Sequence, residues 1–298
     1  LTISSRSRDG RRMIVNNSGP RDPGSFWLVK DGQLAKLGSR NPLLNPEQLS
    51  DVKYIRYKSR DGMMIPGYVT IPKGTPPFPL IVLPHGGPAV SEVVDFDEWG
   101  QLLANAGYMV LQPEYRMTVG FGKKHFDSGH NEHGYKMQDD KDDGAAWLVK
   151  EGIADPKRLV IFGYSYGGFA AAAAVVRPNS PYRCAISGAP VTDLGRLGTS
   201  WSDNRLQRIV QGDTVKGMDP IRNTDKANIP VLLYVGDRDV RTPAFHAKDF
   251  YNGVKGKVDA EFHLIPDMPH SMPWYPRHMS QTLRLMEDFL KNKCGTSA

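Results

Sequence analysis

The pentapeptide Gly163-Tyr164-Ser165-Tyr166-Gly167 sets a serine between two glycines. The apolar run Leu159-Val160-Ile161-Phe162 precedes it and an alanine-rich run, residues 170–174, follows. A strand that turns tightly into a helix pushes the serine hydroxyl out at the end of a sheet, and the flanking glycines leave room where a Cβ would clash. A serine hydroxyl is a weak nucleophile and attacks a carbonyl only when a base takes its proton. Histidine is the base suited to neutral pH, and an acid must hold its ring in one tautomer. On a turn of this kind the acid and then the histidine follow the serine along the chain. The apolar run 231–235 ends in Gly236-Asp237-Arg238-Asp239, so Asp237 and Asp239 compete for the acid. The run 261–265 ends in Pro266-Asp267-Met268-Pro269-His270, and His270 is the histidine in a loop just past a strand. His263 falls inside that strand, and His246 and His278 fall on helices. The negative oxygen formed during attack needs two donors. One is the amide after the serine, that of Tyr166. The other is expected from the loop Pro84-His85-Gly86-Gly87-Pro88, which follows the apolar run 80–83.

These groups need a scaffold that sets several loops at one sheet end. From Val52 onward, strand patterns at 52–57, 65–71, 80–83, 108–111, 159–162, 184–187, 231–235 and 260–264 alternate with helical ones at 96–106, 139–150 and 170–176. Met279, Leu283, Met286 and Leu290 keep helical spacing on a last amphipathic helix. Such alternation predicts an α/β fold with a mostly parallel central sheet and helices on both faces. Residues 1–40 differ. Short strands at 12–15 and 26–29, with Asp31-Gly32 as a hairpin turn, cannot bury a core alone. Asn41 to Pro46 reads as a linker.

With 298 residues, 40% apolar and 23% charged, the chain can bury a large core. No apolar run approaches the ~20 residues of a membrane span. The composition is that of a soluble protein, with the cytoplasm slightly favoured and no membrane partner. The chain opens on Leu1 rather than methionine, as a fragment or processed product would. The net charge of +6 comes from scattered lysines and arginines with no run longer than two, which argues against a nucleic-acid partner. Two cysteines allow at most one disulfide and do not fix the compartment, and Cys184 reads as a small core residue in a strand.

At this point the chain resembles the prolyl oligopeptidase family of serine peptidases, in its acylaminoacyl-peptidase and dipeptidyl-peptidase-like branch. The matching stretches are His85-Gly86-Gly87-Pro88, Tyr115-Arg116, Gly120-Phe121-Gly122, Gly163-Tyr164-Ser165-Tyr166-Gly167-Gly168 and Asp239-Val240-Arg241-Thr242-Pro243, with His270. The resemblance implies an α/β-hydrolase catalytic domain at 52–298, a linker at 41–51, and at 1–40 the remnant of a last propeller blade. It favours Asp239 over Asp237 and implies the amides of Gly87 and Tyr166 as oxyanion donors, His85 standing where several relatives have a tyrosine. It makes Arg241 a candidate to bind a substrate carbonyl or carboxylate, against a structural ion pair. The implied partners are an oligopeptide or acyl-peptide substrate and an upstream β-propeller; self-association is left open. No metal or organic cofactor is needed.

Trp201, Trp274 and Tyr275 are further candidates for a substrate pocket, with plain packing as the alternative. His125, His130 and His133 read as an exposed loop rather than a metal site. The aspartates of Asp139-Asp140-Lys141-Asp142-Asp143 read as helix capping rather than cation binding. Two rival functions remain: an esterase or deacylase on the same machinery, and a non-catalytic binding module.

Overall fold

The computed structural model describes residues 1–196, 214–271 and 274–296. Four strands open it as an antiparallel meander: β1 (Thr2–Arg6), β2 (Arg12–Gly19), β3 (Asp22–Lys30) and β4 (Gln33–Ser39). Asp31 and Gly32 both take positive φ, the geometry of a two-residue hairpin turn. Strand β1 is an element the sequence pattern did not reveal, because its TISSR stretch carries a single large apolar residue. The sheet is thin, with Val15 and residues 23–25 its buried positions.

The second sheet has eight strands in the order β12-β11-β10-β9-β7-β8-β6-β5. Strands β5 (Val52–Lys58) and β6 (Met64–Thr70) form an antiparallel hairpin on one edge. Strands β7 (Phe78–Val82), β8 (Met109–Pro113), β9 (Ala154–Tyr164), β10 (Cys184–Gly188), β11 (Val231–Gly236) and β12 (Ala260–Ile265) run parallel. Their side chains alternate between two cores. Leu80, Leu159, Ile161, Ala185 and Leu233 face α3 (Lys136–Lys150), α4 (Tyr166–Val176) and α5 (Phe245–Val254). Ile81, Val160, Phe162, Ile186 and Leu232 face α1 (Glu98–Asn105) and α6 (Pro276–Phe289). A short helix, α2 (Lys123–Asp127), lies in the loop after β8. A sheet covered on both faces explains why its strands read as continuous apolar runs.

Three sequence expectations need correction. Cys184 is buried in the core but is also bonded to Cys294, in the π-helical turn after α6. The aspartate run does not cap a helix: α3 starts at Lys136, so most of the run lies along its inner side. Asp140 is fully buried and accepts from Nε and Nη2 of the equally buried Arg116 at 2.8 and 2.7 Å. Asp139 pairs with Arg177 at 2.6 Å, and Asp143 with Arg60 at 2.7 Å. Nor are the three histidines an exposed loop. His125 and His133 are buried and bond to the carbonyls of Tyr115 and Thr214, while His130 packs edge-on against Phe126.

Candidate active site

Strand β9 lies in the middle of the parallel sheet, between β7 and β10, and delivers Ser165 at its end. The serine has φ of 59° and ψ of −118°, a conformation disfavoured for an L-residue with a Cβ. Two contacts hold it there: Ser165 N–H donates to Gly188 O at 2.9 Å, and Ser165 O accepts from Phe169 N–H at 3.0 Å. The glycines are required by space. A Cβ on Gly163 would lie 2.4 Å from Gly167 C, and one on Gly167 would lie 2.2 Å from Pro84 O. The strand, the turn and the loop after β7 are therefore in backbone contact.

The loop after β11 carries Asp239 and the loop after β12 carries His270. His270 Nδ1 is 2.7 Å from Asp239 Oδ2, and His270 Nε2 is 3.0 Å from Ser165 Oγ. A carboxylate only accepts, so Nδ1 carries the ring proton and Nε2 is left to accept from the serine. Asp239 is buried and saturated: Oδ1 accepts the amides of Arg241 at 3.0 Å and Thr242 at 2.7 Å, and Oδ2 the Thr242 hydroxyl at 2.9 Å. Asp237 does something else. It is exposed, and its Oδ1 accepts the amide of Asp267 at 2.7 Å, which ties the two loops together. Tyr164 donates its hydroxyl to His270 O at 3.0 Å.

Gly87, Ser165 and Tyr166 share one cavity of about 220 Å³. Met117, His133, Val191, Leu194 and Val215 also line it, as does Arg241. Arg241 is exposed and makes no ion pair among the described residues. His133 donates Nε2–H to Thr214 O at 3.2 Å, and burial pushes its pKa down to about 4, so it stands neutral in the wall. Trp274 is not in this wall. Its indole N–H donates to Pro269 O at 3.1 Å and its ring packs edge-on against Tyr164, so it backs the His270 loop. Tyr275 is exposed and its ring contacts His278 and Arg277, whereas Trp201 lies outside the described residues. A larger groove, about 360 Å³, lies between α1 and α6, away from Ser165. It is lined mainly by apolar side chains with Glu287 and Lys291, and neither Ser165 nor His270 lines it, so the smaller cavity is the one that joins space to chemistry.

Sequence reasoning missed Thr242 and Glu114. Thr242 sits in a quoted stretch, but nothing local shows that its hydroxyl reaches both Asp239 and, at 3.0 Å, His270 Nδ1. Glu114 follows the last residue of β8 and is fully buried, and a lone acidic residue after Pro113 carries no signal of that.

The prolyl oligopeptidase family model matches residues 94–297, more than half of the chain. The chain belongs to the prolyl oligopeptidase family. Among relatives of this family, dipeptidyl aminopeptidase BIII of Pseudoxanthomonas mexicana is 27% identical over all of this chain and 47% of its own length. The acylamino-acid-releasing enzyme of Rattus norvegicus is 24% identical over 84% of this chain and 34% of its own length. The acylaminoacyl peptidase of Pyrococcus horikoshii superposes with a TM-score of 0.81 over 95% of this chain and 48% of its own, at 22% identity, a likeness of fold. This family member thus spans less than half the length of these relatives.

Proposed function

We propose that this chain carries the acyl-transfer centre of a serine peptidase. Ser165 Oγ attacks the scissile carbonyl while His270 Nε2 takes its proton. Asp239 keeps the other ring proton on Nδ1 and stabilises the imidazolium. The carbonyl oxygen becomes an oxyanion bound by the amides of Gly87 and Tyr166. Collapse expels the amine, which receives the proton from His270 Nε2, and leaves an ester on Ser165. Water, deprotonated by His270, then attacks that ester; its proton returns to Ser165 as the peptide acid leaves. The observation that carries this reading is the continuous relay from Ser165 through His270 to Asp239, at 3.0 and 2.7 Å, in loops at the carboxyl ends of the parallel strands β9, β12 and β11 of one sheet.

The cavity beside Ser165 supports a substrate whose acyl-donating residue is apolar and of moderate size. Arg241, which lines it and makes no ion pair among the described residues, supports binding of a carbonyl or carboxylate further along the peptide. The names of the relatives bracket the choice between release of dipeptides and release of acylated residues. Residues 1–40 we read as the last blade of a propeller, supported by their antiparallel four-stranded meander and thin core. A propeller upstream would complete that blade and filter substrates by size.

The test is turnover of blocked peptide anilides, dipeptide anilides with free amino termini, acyl-amino-acid anilides and short-chain esters by the whole protein. At least one amide is expected to turn over, and Ser165→Ala to lower that rate at least about 10³-fold. Ester turnover with no amide turnover would make it an esterase instead.

A further inference from the structure

Asp239 Oδ2 has a second donor besides His270. The ring nitrogen Nδ1 lies 2.7 Å from it and Thr242 Oγ1 lies 2.9 Å from it. The hydroxyl and the ring nitrogen are themselves 3.0 Å apart, so the three atoms form a closed triangle. A hydroxyl has one proton and two lone pairs, and a carboxylate only accepts. The Thr242 proton therefore goes to Oδ2, and a lone pair of the same oxygen is left facing Nδ1–H as a second acceptor. The amide of Thr242 binds the other oxygen, Oδ1, at 2.7 Å, so one residue grips both oxygens and fixes the plane of the carboxylate. With the Arg241 amide on Oδ1, Asp239 receives four donors, about as many as a carboxylate has acceptor sites. Its side chain is 0% exposed, so bulk water does not replace a donor that is lost.

The hydroxyl bears on the reaction through charge. When His270 takes the Ser165 proton it becomes an imidazolium that faces this carboxylate. A hydrogen bond to the carboxylate stabilises the anion by itself and draws off part of the charge that the imidazolium feels. The other groups around the pair are neutral or engaged elsewhere. Tyr164, on β9, sets its ring 5.3 Å from the imidazole, and burial pushes its hydroxyl far above the usual range. His246, on α5, feels the charge of Asp239, and burial pushes its pKa down to about 4. Asp237 binds the amide of Asp267, and Arg238 and Arg277 pair with the Asp267 carboxylate at 2.6 and 3.3 Å. Arg241 turns its side chain to solvent.

We propose that Thr242 is a positioning residue whose hydroxyl fixes the Asp239 carboxylate, limits its pull on the His270 imidazolium, and so sets the pH at which Ser165 becomes reactive. This rests on the acyl-transfer reading above. The test follows the rate at which a fluorophosphonate labels Ser165 of the whole protein from about pH 5 to 9, a reaction that needs the histidine base but no particular peptide. Thr242→Val keeps the shape and removes the hydroxyl, whereas Thr242→Ser keeps the hydroxyl and removes a methyl group. Thr242→Val is expected to move the acidic limb of the profile up by about 0.5–1 pH unit, because the imidazolium then faces the undivided charge of Oδ2. Its plateau rate is expected to fall about 10-fold, because the carboxylate loses one of the bonds that fix it. Thr242→Ser is expected to leave the limb where the wild type has it, whatever its rate. A limb that stays in place or moves down in the Val variant would overturn the proposal, and so would equal shifts in Val and Ser. A lower plateau with an unmoved limb would make Thr242 a packing residue only. Should the Val variant fail to fold, Thr242→Ser and Thr242→Ala, which differ by the hydroxyl alone, carry the same comparison. A wild-type protein that is not labelled at any pH sinks the acyl-transfer reading and this proposal together; a labelled wild type whose limb ignores the hydroxyl sinks only the role of Thr242.

Discussion

In the cavity that Ser165 lines, His133 is neutral because burial makes its imidazolium costly, which lowers its pKa from 6.5 to about 4. The unfolded chain takes up this proton near pH 6.5, whereas the folded chain does not until about pH 4. Between those values the unfolded state binds more protons, so this group's contribution to stability is complete above pH 6.5 and is lost as pH falls toward 4. His133→Phe removes that titration. Its unfolding free energy should fall less steeply between pH 6.5 and 4 than the wild type's, by up to about 1.4 kcal/mol per pH unit. Denaturant melts across that range measure it, and parallel slopes would show that His133 titrates normally. The same scale explains why Asp239 and Asp237 differ although they are two residues apart on one loop. Asp239 turns inward and fills its oxygens with two amides, a hydroxyl and His270, while Asp237 stays in solvent and braces Asp267.

The run Asp139-Asp140-Lys141-Asp142-Asp143 shows what an element does with charge. It reads as a solvated cap because acidic residues favour helix starts. Instead α3 packs against β5 and β8, and residues a turn apart meet arginines from three other segments. Arg116 bridges Asp140 and, at 2.9 Å, Asp61, so it ties the loop after β8 to the β5–β6 turn and to α3. Both partners of the inner pair are buried, so removing Asp140 takes away the buried carboxylate of Arg116 and leaves it the partly exposed Asp61 alone among the described residues. Asp140→Asn should cost about 3–5 kcal/mol and lower the denaturation midpoint without changing the slope. Arg60→Ala, at a side chain 53% exposed, should cost at most about 1 kcal/mol. Equal losses in the two variants would contradict the burial argument.

At the scale of the whole molecule, the Cys184–Cys294 bond joins the central sheet to the turn after α6 across 110 residues of sequence. Both ends are buried, and the enclosed chain includes β11, β12 and the loops of Asp239 and His270. A cross-link spanning so much chain restricts the unfolded ensemble, and its loss should cost about 2–4 kcal/mol. Cys294→Ser should lower the melting temperature by several degrees while Ser165 keeps its reactivity toward a fluorophosphonate. An unchanged melting temperature would assign the bond no stabilising role. Among the described residues no helix is long and apolar enough to cross a membrane.

The α/β alternation, the parallel sheet, the strained serine turn and the candidate acid and base loops were all legible in the sequence. Each is a local pattern: apolar periodicity, glycines at fixed offsets from Ser165, and a turn just after a strand. Only the tertiary structure decided which distant groups meet. Sheet order sets β9 beside β7, and that brings Gly86 against Ser165 and Gly87 to the same cavity. It also decided that Glu114 is buried beside His85, that the aspartates of α3 pair with arginines, that Cys184 meets Cys294, and that Trp274 backs the His270 loop rather than lining the cavity. No residue type or short spacing encodes these contacts, because they arise where elements far apart in sequence exclude water from the same space.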